Sequence, residues 1–333
     1  MRLEERVVPE AEGTILVHNV ADADGRRVLK KGTRLAQEHL ARLSELGYTR
    51  VMVATLEADD VPEDDAAVEL AGALRTDHVR LSRVTGGRVN LVAEVDGVLE
   101  VDAERLLELN VLPGITLATV PPRTVVGPNQ KTAQVATLKI IPYAVPRRDL
   151  ERALALAEAR PGIVEVRALS LGRRVAMLLT GEPSAHDKVQ ADFVPPTRTR
   201  LERLGAELVA VETVRLDHTP IQEACARLAT EADLLIIAGQ TSIMDEDDIT
   251  LRALRDAGAE VVAYGAPVEP GNLLSLAYFP PHTPVLCAPG CARGLGHNVV
   301  DILLPRLLLG DRLAQIDIAA LGLGGLLVNT QLT

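Results

Sequence analysis

The stretch DLLIIAGQTSIMDEDD, residues 233–248, decides how the rest of the chain is read. After Asp233 the run to Ala238 is wholly apolar, so a strand there has no wet face. A strand buried on both sides belongs to a parallel sheet covered by helices. Asp248 to Ala257 then shows helical spacing and stops at Gly258. Outward from this stretch the alternation continues. Strands are predicted at Arg174–Leu179, Glu207–Val214, Glu260–Tyr264 and Pro284–Cys287. Helices are predicted at Thr197–Leu204, Thr219–Thr230 and Val299–Leu309. The expected fold class is α/β: a C-terminal three-layer α/β/α domain with a mainly parallel sheet over 172–333. Ligands on such sheets bind at the C-terminal ends of the strands, which selects the loops to inspect.

Upstream the pattern differs. A short strand is predicted over 13–20, a turn at Ala23–Arg26, a helix over Leu35–Leu46 stopped by Gly47, and a strand at Val51–Val53. A helix entered through Pro62 runs over Glu63–Leu74. Between 79 and 145 come short β-type runs at Arg88–Leu91, Val98–Val101, Ile115–Ala118 and Ala136–Ile141, with one helix at Ala103–Leu109. Residues 1–148 are therefore expected to form a smaller β-rich α+β region. Residues 149–171 are expected to be a connector, with an amphipathic helix over 149–160.

Length and composition set limits. At 333 residues two domains are expected. Hydrophobic residues are 47% and charged residues 24%, which argues for a folded chain. The net charge of -11 argues against a nucleic-acid binder, whose affinity rests on neutralising phosphates. Only four Tyr and two Phe are present and Trp is absent, too few rings for base-stacking platforms. Three cysteines give no disulfide framework. The N-terminus lacks the apolar segment of a signal peptide, and no apolar run reaches the ~18 residues of a membrane span. A cytoplasmic location without membrane or nucleic-acid partners is expected.

Three loops follow apolar strands. In Gly239-Gln240-Thr241-Ser242 the glycine permits a sharp turn and the hydroxyls stand just ahead of a predicted helix. A helix N-terminus suits an anion such as phosphate. The alternative is that Ser242 caps the helix, with Asp245 completing a capping box. The acidic run Asp245–Asp248 could hold Mg²⁺ through Asp245 and Asp248, or it could simply face the helix dipole. Pro270-Gly271-Asn272 and Pro289-Gly290-Cys291 are Pro-Gly turns. Arg293, just beyond the second, could pair with an anion bidentately. Gly294-Leu295-Gly296 lacks the third glycine of a dinucleotide fingerprint, since Val299 stands there. Cys287 and Cys291 are spaced unlike a zinc pair. No Walker A loop or nucleophile elbow is present.

These residues resemble the molybdopterin-binding domain shared by molybdopterin adenylyltransferases and molybdenum insertases. The resemblance is carried by Thr180-Gly181-Glu182, Gly239 to Ser242, Asp245, Pro270-Gly271 and Pro289-Gly290, in that order. A subgroup found alone or fused to a cytidylyltransferase-like domain is similar at Pro270–Leu274, Ala288–Arg293 and Asp317–Leu326. In the N-terminal half it is similar at Lys30-Lys31-Gly32, Gly87–Leu91, Leu117-Ala118-Thr119 and Lys139–Pro142. Two departures stand out: Gln240 replaces the second glycine of the family loop, and Asn272 replaces a frequent lysine.

The resemblance implies a protein that binds molybdopterin or molybdenum cofactor and acts in biosynthesis or maturation of that cofactor for molybdenum hydroxylases. Its implied contacts are Gly181, Glu182, Gly239, Gln240, Thr241, Ser242, Asp248, Pro270, Gly271, Asn272, Pro289, Gly290, Cys291 and Arg293. Asp245 is the candidate catalytic residue, and Asp245 with Asp248 the candidate Mg²⁺ ligands. Two alternatives stand beside this reading. One is ATP- and Mg²⁺-dependent adenylyl transfer or metal insertion. The other is a scaffold or regulatory protein that keeps the fold without the ligand. Implied partners are a molybdenum hydroxylase or a cytidylyltransferase, and a second or third copy of the chain.

Overall fold

The computed structural model describes residues 1–327. The last six residues of the expected 172–333 domain lie outside the described residues. Contacts divide the chain into two compact units, Met1–Arg167 and Ala168–Thr333.

The first unit opens with a three-stranded antiparallel sheet in the order Arg2–Val7, Arg50–Thr55, Ile15–Leu16. The helix Gln37–Glu45 turns Leu40 and Leu43 toward a small core with Leu16, Leu35, Val51 and Val53. The chain leaves that helix through Gly47 at φ 81°, a left-handed conformation that only glycine adopts cheaply. The strand predicted over 13–20 is broken into Ile15–Leu16 and Val20–Ala21, the latter pairing with Arg27–Leu29 in a hairpin.

A second sheet runs Ile115–Thr119, Gln134–Ile140, Arg88–Ala93, Val79–Leu81, antiparallel throughout. Its buried face carries Val89, Leu91, Ile115, Leu117, Leu138 and Ile140. The helix Glu63–Leu74 covers that face through Ala66, Ala67, Leu70, Ala71 and Leu74, a strict helical stripe. Each fully buried leucine there contributes about 1.5–3 kcal/mol relative to exposure. The helix expected as a connector is Arg147–Glu158, and it is part of this core instead. Leu150, Ala153 and Ala157 are buried in the same cluster, and it packs on Glu63–Leu74. An amphipathic stripe is equally compatible with a linker and with a core helix, so sequence alone did not separate them.

The second unit holds a six-stranded sheet in the order Glu207–Val214, Arg174–Thr180, Leu234–Gly239, Thr283–Cys287, Ser275–Phe279, Glu260–Tyr264. The first four strands are mutually parallel, and Ser275–Phe279 runs against both of its neighbours. That reversed strand was not expected. It is wholly buried and is joined to Thr283–Cys287 by a short turn through Pro280-Pro281. The helices His218–Glu231 and Ile249–Asp256 place Ile221, Leu228, Leu251 and Leu254 in one core with Ala176, Leu178, Leu235, Ile237, Val285 and Cys287 of the sheet.

The helix predicted from Thr197 is longer, His186–Arg203. Pro195 and Pro196 lack the N–H groups a helix interior uses, which makes a start after them the natural reading. The helix continues through them because Val189, Phe193, Pro196, Thr197, Arg200 and Leu201 form a buried stripe.

Among the described residues, no helix is long and apolar enough to cross a membrane.

Candidate functional site

The parallel register brings three of the selected loops side by side. Thr180 pairs with Gly239, and Ile237 pairs with Cys287, so the turns after these strands leave the same edge of the sheet. Gly239 is glycine for a spatial reason. A Cβ there would overlap Thr180 Oγ1 and lie 3.1 Å from the Thr180 carbonyl oxygen. The Gln240 amide donates to that carbonyl at 2.8 Å, extending the ladder one residue past the strand.

Gln240 does not leave the turn open. Its side-chain oxygen accepts the Glu182 amide at 3.0 Å, so the Gly181-Glu182 turn and the 239–242 loop are tied together. The Gly181 carbonyl is in turn 3.0 Å from His186 Nε2. Thus Gly181, Glu182, Gly239 and Gln240 are one connected group. Thr241 is exposed and Ser242 half-buried beside them. Ser242 Oγ lies 3.5 Å from where a Cβ on Gly290 would be, which places the Pro289-Gly290 turn against the same loop.

Arg293 spans the two. Its Nη2 donates to the carbonyls of Gly239 and Gln240, each at 3.2 Å. Its guanidinium sits 4.9 Å from the Phe193 ring centroid, and its Nε is 3.9 Å from Asp192. The guanidinium is therefore held in place by two carbonyls, a ring face and a carboxylate. Nη1 has no protein acceptor among the described residues.

The Pro289–Asn298 segment is shaped by a residue that sequence reasoning missed. Arg200, 4% exposed, donates to the carbonyls of Ala292 (3.1 Å), Gly294 (2.7 Å) and Gly296 (3.3 Å), and pairs with Asp301. Asn298, 1% exposed, caps the helix Val299–Leu308 by accepting the Val300 amide. A signal for Arg200 existed. It falls on the stripe of Val189, Phe193 and Pro196 at helical spacing, but a helix begun at Thr197 hides that stripe.

Pro270 and Gly271 pack under the same segment. Gly271 has φ 135°, and a Cβ there would lie 2.6 Å from Val299 Cβ. The Pro270 carbonyl accepts the Val299 amide at 3.3 Å. Asn272 is exposed and accepts the Ala266 amide through its own carbonyl. Burial raises the pKa of the half-buried Cys291 thiol, with Glu269 and Asp301 adding to the effect and Arg200 opposing it.

One expectation about this loop is corrected, the Ser242 cap. The helix after this loop begins at Ile249, not next to Ser242, so Ser242 caps nothing and the 239–242 amides do not lie at a helix N-terminus. Asp248 is the cap: its Oδ1 accepts the Thr250 amide at 2.8 Å. Asp245 Oδ1 accepts the Asp247 amide at 2.8 Å. Both carboxylates named as Mg²⁺ ligands are thus engaged by their own backbone. No group of three or more His, Cys, Asp or Glu that could hold a metal ion occurs among the described residues.

No curated protein matches the chain. Solved structures do. A molybdenum cofactor biosynthesis protein from Pyrococcus furiosus is 12% identical at TM-score 0.26, covering 96% of this chain; the chain spans 65% of that protein. A molybdopterin biosynthesis MoeA protein from Pyrococcus horikoshii is 14% identical at TM-score 0.31, over 92% of this chain and 75% of its own. The molybdopterin biosynthesis enzyme MoaB from Thermus thermophilus is 17% identical at TM-score 0.31, over 42% of this chain and 98% of its own. At these scores the likeness carries no weight by itself. Residues 6–55 match the model of a domain of unknown function. Residues 169–308, which hold every turn described above, match the model of a family described as a probable molybdopterin binding domain.

Proposed function

We propose that the second unit binds a phosphate-bearing pterin of the molybdopterin class and serves in the biosynthesis or maturation of the molybdenum cofactor. The observation that carries this reading is Arg293. Two carbonyls and Phe193 fix its guanidinium at the mouth of the 239–242 loop, with Nη1 left to receive an anion. A charge held in place before the ligand arrives loses little entropy on binding. It also supplies locally what a chain of net charge -11 lacks overall. The hydroxyls of Thr241 and Ser242 would share the phosphate. The turns at Pro270–Asn272 and Pro289–Cys291 would wall the ring.

Binding is favoured over nucleotidyl transfer. Transfer needs cationic stabilisation at phosphorus, and Asp245 and Asp248, each with one oxygen on a backbone amide, belong to no group of three or more candidate metal ligands among the described residues. The test is isothermal titration of the full chain with molybdopterin, against Arg293→Ala. Loss of one charge-assisted hydrogen bond, about 1.5–3 kcal/mol, is expected to weaken binding about 10- to 100-fold. Wild-type protein that fails to bind would overturn the reading in favour of a scaffold. ATP turnover with Mg²⁺ would replace it with the enzymatic one.

A further inference from the structure

Three motifs in the first unit, Lys30-Lys31-Gly32, Gly87–Leu91 and Lys139–Pro142, take no part in the site above. The structure gathers them around one carboxylate. Glu63 Oε1 lies 3.9 Å from a Cβ built on Gly32 and 4.0 Å from one built on Gly86. Glu63 Oε2 pairs with Lys139 Nζ at 3.0 Å, and Lys139 also donates to the Gly86 carbonyl. Asp64 Oδ1 accepts the Gly87 amide at 2.6 Å, so two carboxylates and one ammonium meet at the junction, and cations stand on either side of it.

On one side is the segment RRVLKKGTR, residues 26–34, with five cations and no acid, in a chain where acids outnumber bases 46 to 35. Arg26, Arg27, Lys30 and Lys31 are exposed, and among the described residues none of these side chains has a hydrogen-bond or ion-pair partner. Asp22 and Asp24 stand at the hairpin tip, and Asp22 is engaged by the Asp24 and Arg26 amides. On the other side is the open face of the antiparallel sheet. Register places Arg88, Lys139 and Thr116 in one row and Asn90, Thr137 and Ala118 in the next, with Arg80 opposite Val92. No carboxylate occupies these rows. Arg88 and Arg80 are exposed and likewise unpaired.

We infer that the two cationic segments flanking this junction, Arg26, Arg27, Lys30 and Lys31 on one side and Arg88 and Arg80 on the other, dock an acidic face of a partner protein. Charge complementarity selects the occupant. A long polyanion such as nucleic acid would also meet the repulsive field of a chain with net charge -11. The Tyr143 ring beside Gly32 is half-buried, with its hydroxyl donating to the Val17 carbonyl, so it is no free platform for stacking bases. A lipid surface needs apolar side chains to insert, and Leu29, the large apolar residue of the hairpin, packs against the small core. A protein partner meets only the local patch, where complementary charge steers and orients docking.

The test is fluorescence anisotropy of the full chain with a labelled oligoglutamate peptide, in rising salt, with an oligonucleotide and phosphatidylserine vesicles as competing probes. Salt-sensitive peptide binding is expected. It should weaken at least about tenfold in Arg27→Gln/Lys30→Gln/Lys31→Gln and also fall in Arg88→Gln, because two segments build the surface. It should persist in Arg198→Gln/Arg203→Gln/Arg252→Gln, which removes exposed cations of the second unit. Equal loss in that control, no loss in Arg88→Gln, no binding to the peptide, or preference for the oligonucleotide or vesicles would each overturn the inference.

Discussion

Arg200 meets both carboxylate oxygens of Asp301, Nε to Oδ1 at 2.9 Å and Nη2 to Oδ2 at 3.3 Å, while its donors also reach the carbonyls of Ala292, Gly294 and Gly296. Asp301 closes the arrangement by accepting the Asn298 amide at 3.0 Å. One buried guanidinium thus fixes the course of the segment that carries Arg293.

Arg200→Met is expected to destabilise the protein by about 3–5 kcal/mol, since it strands a partly buried carboxylate and three carbonyls. Urea denaturation checks this. Arg200→Lys keeps the charge but not the planar fork, so most of the loss should remain. A lysine variant as stable as the parent would mean that charge, not geometry, holds the segment.

Gly239→Ala is expected to cost about 1–3 kcal/mol, the usual range for overpacking, because the new methyl overlaps Thr180 Oγ1. Thr180→Ala should recover part of that loss in the double variant, since the two residues are in direct contact. Additive losses in the denaturation cycle would contradict the assigned clash.

Asp102 caps the helix Ala103–Val111. Its Oδ1 accepts the Arg105 amide at 3.0 Å and its Oδ2 the Arg105 guanidinium at 2.8 Å. These bonds, the backbone one foremost, hold its carboxyl below the usual carboxylate range. A depressed folded-state pKa gives stability that is complete above the unfolded value, about 3.9, and is lost as pH falls through the folded value. Asp102→Asn keeps a good cap but cannot titrate. Its urea midpoint should fall less steeply than the parent's below about pH 4. Parallel curves would show that Asp102 does not contribute to the acid limb.

Cys225 and Cys287 are buried, and burial pushes the Cys225 thiol up to about 12 and raises Cys287 as well. The thiolate is the reactive form. Iodoacetamide on the native protein at neutral pH should therefore label Cys291 alone, and slowly; all three should react in denaturant. Peptide mass mapping reads the result. Native labelling of Cys287 would contradict the burial described.

Much of the second unit was legible because the apolar run Leu234–Gly239 marks a covered parallel sheet and strands and helices alternate around it. Glu207–Val214 and Glu260–Tyr264 are found where their residues predict. So is the helix Glu63–Leu74 in the first unit, where Pro62 and three acids mark its start. Ser275–Phe279 escaped notice because a five-residue apolar run beside Pro280-Pro281 gives no period that separates a strand from a loop or helix, and no helix separates it from the next strand as the alternation would require. The site residues were legible as turns after strands, but their roles were not. Gln240 was legible only as a departure from the family's glycine, and it is a tie to Glu182. Asp248, read as a candidate ligand, also caps the helix that follows.

By itself the sequence determined the layer architecture of the second unit, the glycine and proline positions of its turns, and the edge of the sheet where they gather. These follow from local periodicity and backbone preference, which neighbouring residues carry. The tertiary structure alone decided which turns touch, that Arg200 shapes the segment bearing Arg293, and that Gly32, Gly86 and Lys139 meet at Glu63. Those relationships join residues far apart in the chain, the Arg200–Asp301 pair being separated by 101 positions. Their partners are set by packing and register, which no local pattern encodes.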